Sequence, residues 1–158
     1  MPRKKRVYRN EKYLKPDPKF GNLQLAKFIN HLMYEGRKST AQRVVYGALD
    51  IVSEKTKNDP LVVFDTAMRN VAPVLEVKAR RVGGANYQIA QEVRGDRKET
   101  LAMRWLKQAA RKRGGKSMAE KLAAELIAAF NKEGGAIKKR EDVHKMAESN
   151  RAFSHFAR

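Results

Sequence analysis

Cysteine is absent from this 158-residue chain, so it can form no disulfide and no thiolate-based zinc or redox centre. Histidine is scarce: His31, His144 and His155 stand far apart, without metal-ligand spacing, and ordinary surface or core packing is expected of each. No apolar run reaches the ~20 residues of a membrane helix. The basic N-terminus leads into no apolar stretch of the signal-peptide kind, and Met1-Pro2 lacks the glycine that N-myristoylation needs. A soluble, intracellular protein is the expectation. Acids are few as well, 17 Asp and Glu against 35 Lys and Arg, a formal charge of +18. Self-repulsion on that scale disfavours an isolated compact chain and points to a polyanionic partner.

Apolar residues recur with helical period. Leu25, Phe28, Ile29 and Leu32 predict a first helix closing at Gly36. Ser39-x-x-Gln42 reads as a capping box opening a second, with Ala41, Val44, Val45, Ala48, Ile51 and Val52 inward. Asp59-Pro60 supplies an N-cap and a first-turn proline for a third, which carries Phe64, Ala67, Met68 and Val71 and stops near Pro73. Asp96-x-x-Glu99 predicts a capping box for a fourth, buried through Leu101, Ala102, Trp105, Leu106 and Ala109 and ended by Arg111-Lys112-Arg113 before a glycine pair. Ser117-x-x-Glu120 opens a fifth, whose stripe runs from Ala119 to Phe130 and which Gly134-Gly135 closes. A sixth is expected from about Lys138, with Val143, Met146 and Ala147 inward and Glu141-Asp142 in its N-terminal turn.

Between the third and fourth helices, residues 74–93 alternate instead, around Gly83-Gly84. That pattern predicts a β-hairpin. A two-residue Gly-Gly turn sets Val77 opposite Ala90 and splits the apolar residues between two faces. A three-residue loop, Gly83 to Ala85, pairs Val77 with Gln91 and gathers Leu75, Val77, Ala79, Ile89 and Val93 on one face. One-sided burial favours the second. The expected fold is therefore mainly α: a bundle of about six helices in one domain, residues 20–158, with one protruding hairpin and a basic arm, residues 1–19. That arm holds eight cations, two acids and two interleaved tyrosines, as suits a segment that orders on a nucleic acid.

Enzyme chemistry finds no residues to carry it. The glycine pairs at 83, 114 and 134 stand in no G-x-x-x-x-G-K-[ST] context; a hairpin turn and helix ends account for them. Cations instead gather in blocks: Arg3, Lys4, Lys5, Arg6 and Arg9; Arg37-Lys38; Lys78 to Arg81; Arg94 to Lys98; Lys107 to Lys116; Lys138 to Arg140. Lys107 to Lys116 holds five cations and no acid, and its glycines let backbone N–H groups approach a phosphate. A histone-like or helix-turn-helix DNA module would share the charge, but no short second helix rich in Asn, Gln and Arg follows a tight turn. Spread patches with a projecting arm suit a folded RNA read by shape and backbone.

The chain also closely resembles the bacterial type of small-subunit ribosomal protein seven. The stretches MPRKKR, LAKFINHLMYEGRKSTAQRVVYGAL, EVKARRVGGANYQIAQEVR, RWLKQAARKRGGKSMAEKLAAEL and KKREDVHKMAESNRAFSHF carry the resemblance. It implies a non-enzymatic, cofactor-free constituent of the cytoplasmic small subunit, which binds the three-prime major domain of its rRNA and nucleates assembly of the head. Carried onto this chain, rRNA contacts fall to Arg3, Lys4, Lys5, Arg6, Arg9, Arg37, Lys38, Arg94, Arg97, Lys107, Arg111, Lys112, Arg113 and Lys116. The hairpin, through Lys78, Arg80, Arg81, Gly83 and Gly84, would face exit-site tRNA and the mRNA path. The C-terminal region, with Phe153 and Phe156, would approach ribosomal protein eleven.

Overall fold

A computed structural model describes residues 14–152. Six helices and one hairpin follow in order: α1 (Leu23–Leu32), α2 (Lys38–Thr56), α3 (Pro60–Val71), β1 (Leu75–Val82), β2 (Ala85–Glu92), α4 (Gly95–Lys112), α5 (Met118–Phe130) and α6 (Gly135–Ser149). The expected mainly α architecture, with its hairpin between the third and fourth helices, is the one observed. The chain divides into two compact units, one up to Gln42 and one from Arg43 onward.

In the first unit a tight turn precedes α1. The buried Asp17 carboxylate accepts the Lys19 and Phe20 backbone N–H groups, each at 3.1 Å, and the Asp17 carbonyl accepts from Gly21 at 2.8 Å. Asn22 then caps the helix, its Oδ1 accepting from Gln24 at 2.7 Å and Leu25 at 3.1 Å. Leu25, Phe28, Ile29 and Leu32 are buried as their spacing requires. The helix ends at Leu32, before the expected stop at Gly36, and the connection turns through positive φ at Glu35 and Gly36.

The second unit holds the larger core. From α2 it buries Val45, Ala48, Leu49 and Val52, while Val44 and Ile51 are only half-buried. Ser39 is the second residue of α2 rather than a residue ahead of it, so the expected capping box is displaced into the helix. Gly47 brings α2 close to α5: a Cβ there would lie 3.6 Å from that of Ala119. Asp59 caps α3 as expected, Oδ1 accepting from Leu61 at 2.9 Å, and Val63, Phe64, Ala67, Met68 and Val71 are buried. Helices α3, α4, α5 and α6 pack on one another, and α6 also lies against both strands. Each fully buried Leu, Phe or Met in this core, such as Phe64, Met103, Leu106 and Leu126, contributes about 1.5–3 kcal/mol of transfer free energy.

Polar bonds fix the helix ends. Asn70 of α3 donates to the carbonyls of Ala129 and Phe130 at 3.0 and 3.1 Å, meeting the orphan acceptors of the α5 C-terminus, and Arg140 of α6 donates to the Asn70 carbonyl. Ser117 caps α5, accepting from Glu120 at 3.2 Å. The α4 box is not formed: Arg94 occupies the cap position without a side-chain bond, and Asp96 already lies in the first turn. Gly134-Gly135 does less to end α5 than to begin α6, with Gly134 as N-cap at φ +96. Because α6 starts at Gly135, Glu141 and Asp142 sit near its middle, not in its first turn. Met146, expected inward, is exposed, while Ala136, Ile137 and Ala147 are buried.

The hairpin register differs from the expected one. Val82 pairs with Ala85 and Val77 with Ala90, so the turn is the two-residue Gly83-Gly84. Both glycines have positive φ, +57 and +88, which gives a tight turn whose twist matches that of the flanking strands. Turn geometry thus overrides apolar matching. Ile89 and Val93 are buried on one face together with Glu76, while Leu75, Val77 and Ala79 occupy the other and keep part of their surface exposed. An acid can sit on the buried face because cations meet it. Arg97 Nε donates to both Glu76 oxygens at 2.8 Å, and Lys78 Nζ lies 3.8 Å away.

Candidate nucleic-acid interface

Eight residues in each strand, at ~3.3 Å per residue, make an arm of roughly 25 Å. Only its base joins the core. Lys78, Arg80, Arg81, Gly83 and Gly84 are all exposed. The tip therefore presents cations and bare backbone, the groups that meet phosphates.

A second basic surface lies where α4 ends and α5 and α6 begin. Arg104, Lys107 and Arg111 follow helical spacing on α4. Burial first, then the Arg111 and Arg104 charges, hold the Lys107 ammonium below the usual lysine value. Crowded like charges of this kind are relieved by an approaching anion. Beside them a cleft of ≈ 590 Å³ opens, with Trp105 in its wall and Lys112, Lys138 and Lys139 around it. The three lysines are exposed and make no ion pair among the described residues.

Arg113 behaves differently from its neighbours. Its Nε donates to Oε2 of Glu125, a residue of α5 with no exposed surface. Oε1 of the same carboxylate accepts the Ala136 N–H at 2.8 Å, in the first turn of α6. One buried acid thereby ties the end of α4 to the start of α6, and Arg113 neutralises it. Any Cβ at Gly134 would come within 2.9 Å of Glu125 Oε1 and 3.0 Å of Ala128 Cβ, so this junction admits only glycine.

The remaining candidates scatter. Arg37 is exposed and 3.4 Å from Glu35; Lys38 is exposed at the start of α2. Arg94 and Lys116 are exposed at helix ends, and Arg97 is committed to Glu76. Arg3, Lys4, Lys5, Arg6, Arg9, Phe153 and Phe156 lie outside the described residues. Arg104 is not among the cations expected from sequence, although its spacing to Lys107 and Arg111 signals a shared face. The convergence of Lys112 with Lys138 and Lys139 has no such local signal. No helix among the described residues is long and apolar enough to cross a membrane.

Comparison with known proteins decides the family. The family model for ribosomal protein S7p/S5e matches residues 2–151. The chain belongs to that family. It is 62% identical to the small ribosomal subunit protein uS7 of Teredinibacter turnerae, and 59% identical to that of Polynucleobacter necessarius, each over 99% of both chains. Saccharophagus degradans has a relative of the same name at 60% identity, also over 99% of both chains. Membership makes this a ribosomal protein of the small subunit, a structural constituent that serves translation and not an enzyme. Of the cations expected to meet RNA, Arg97 and Arg113 hold the fold together, through Glu76 and Glu125.

Proposed function

We propose that the chain binds the three-prime major domain of small-subunit rRNA and nucleates assembly of the subunit head. Its hairpin then reaches exit-site tRNA and the mRNA path, and its C-terminal segment meets ribosomal protein eleven. The separation between hairpin base and tip carries this reading. Ile89 and Val93 anchor the base, whereas Arg80 and Arg81 are exposed beyond it; Lys78, exposed as well, lies 3.8 Å from Glu76. Such an arm is useful only against something outside the protein. The α4 surface carrying Arg104, Arg111 and Lys112, with Lys116 in the loop after it, supplies phosphate contacts that orient the chain on RNA.

Ribosomes carrying Arg80→Ala/Arg81→Ala should contain a normal amount of the protein after a salt wash, yet release deacylated exit-site tRNA faster than wild type. Equal release rates with normal incorporation would make the hairpin an rRNA anchor instead. Loss of the chain from small subunits at moderate salt would refute its role as a primary binder.

A further inference from the structure

We propose that the cleft beside Trp105 receives one unpaired nucleotide of the bound RNA, its base against Trp105 and Ala109 and its phosphate among Lys112, Lys138 and Lys139. The inference rests on the rRNA-binding reading and adds a subsite to it. At ≈ 590 Å³ the cleft falls within the ~300–1,000 Å³ typical of sites for small ligands. A flat cationic patch that merely follows a duplex backbone has no use for such a recess. Its lining offers both kinds of group that a nucleotide needs: an indole and a methyl group for the base, and three exposed lysines for the phosphate.

The one fully buried acid in the wall does not oppose an anion. Glu125 is neutralised by Arg113 and also holds the Ala136 N–H. Asp142, at the rim, offers a carboxylate that can accept the N–H groups of a base edge. Gly135 keeps the recess open, since a Cβ there would press to 3.3 Å from that of Ala109. Bases within a helix cannot enter such a site, so the nucleotide it takes is unstacked, as in a loop or bulge. An acidic protein segment would satisfy the lysines but leave the Trp105 wall unmatched.

Trp105 is the sole tryptophan of the chain, so its emission reports on the cleft alone. The full chain is titrated with a three-prime major-domain rRNA fragment, binding being followed by mobility shift and the cleft by emission. Trp105 is 7% exposed, so acrylamide quenching is already low in the free protein; with RNA bound, emission should fall as a base meets the exposed edge of the indole. Polyphosphate, which has phosphates but no bases, should leave emission unchanged. Lys138→Ala/Lys139→Ala should still shift with the RNA while its emission stays at the free-protein value. Unchanged emission in a fully shifted wild-type complex would overturn the proposal, as would an equal fall with polyphosphate or in the double variant. Absence of any mobility shift would instead overturn the rRNA-binding reading on which the subsite depends.

Discussion

Truncating Arg113 should damage the fold more than any other substitution in the basic cluster from Lys107 to Lys116. Arg113→Ala leaves the Glu125 carboxylate with no exposed surface and with the Ala136 N–H as its remaining hydrogen-bond donor among the described residues. Removing one partner of a buried ion pair costs about 3–5 kcal/mol. The Arg113 side chain is 35% exposed, and solvent screening there brings the expectation to the lower end, about 3 kcal/mol. A chain of this size loses about 2–4 °C of melting temperature per kcal/mol, so the midpoint should fall by roughly 6–12 °C. Lys112→Ala, one residue away and exposed, should stay within about 0.5 kcal/mol of wild type. Replacing both partners by apolar residues, Arg113→Met with Glu125→Leu, should recover only part of the stability, because no charge is then stranded but the buried Ala136 N–H loses its acceptor. Circular dichroism melts of the free protein at fixed salt read all three variants. A melting temperature for Arg113→Ala matching that of Lys112→Ala would show that Glu125 is not held by Arg113, and the junction would need another explanation.

Salt dependence of rRNA binding should be steep, and Arg111→Ala/Lys112→Ala should flatten the logarithmic slope by about two units, one for each phosphate left without its cation; an unchanged slope in filter binding would leave these two as solvated helix-end charges. Gly134→Ala should cost about 1–3 kcal/mol by urea denaturation, since φ is +96 and the new methyl meets Glu125 and Ala128; a wild-type midpoint would mean the loop relaxes freely. Val74 N–H donates to His144 Nε2 at 3.0 Å, and burial, then the Arg140 charge, hold that imidazole below the ordinary histidine range. The neutral form is thus the one the fold selects, and its contribution is fully present above the unfolded value of about 6.5 and is lost as pH falls below it. Urea midpoints should therefore decline on acidification from about pH 7, less so in His144→Asn; parallel declines in the two proteins would remove His144 as the cause.

Long amphipathic stripes made the helices legible: α3 carries both a side-chain cap and an uninterrupted apolar face. Helix α5 keeps its Ser117 cap but buries Leu122, Ala123, Leu126 and Ala129 with the acid Glu125 among them, leaving Ala119, Ile127 and Phe130 of the expected stripe half-buried. The hairpin was legible as an element but not in register. Alternation alone cannot show that Arg97, in the next helix, neutralises Glu76 and so permits an acid on the buried face. Helix starts failed where the expected cap already lay inside the helix, as Ser39 does in α2 and Asp96 in α4, and at α6, whose start is set by Gly134 together with a carboxylate from α5. The cationic blocks were readable because charge is counted residue by residue. Which cations are committed to the fold was not, because Arg113 and Glu125 are twelve positions apart and meet only through the packing of α4 against α5. Lys112 and the Lys138-Lys139 pair converge for the same tertiary reason.

A two-stranded ribbon has a further property that binding does not capture. Neither outer edge of β1 or β2 is hydrogen-bonded to a third strand among the described residues, so the arm offers two rows of backbone donors and acceptors to any strand that approaches. Open edges of this kind invite pairing between copies, and inserted charge is a common way to discourage it. Lys78, Arg80 and Arg81 place three cations along β1, and a chain with formal charge +18 repels its own kind. The residues that would face RNA in the subunit thus also keep free copies apart during synthesis. Neutralising them to weaken RNA contacts removes that protection as well, and turbidity of concentrated Lys78→Gln/Arg80→Gln/Arg81→Gln protein in the absence of RNA would show it.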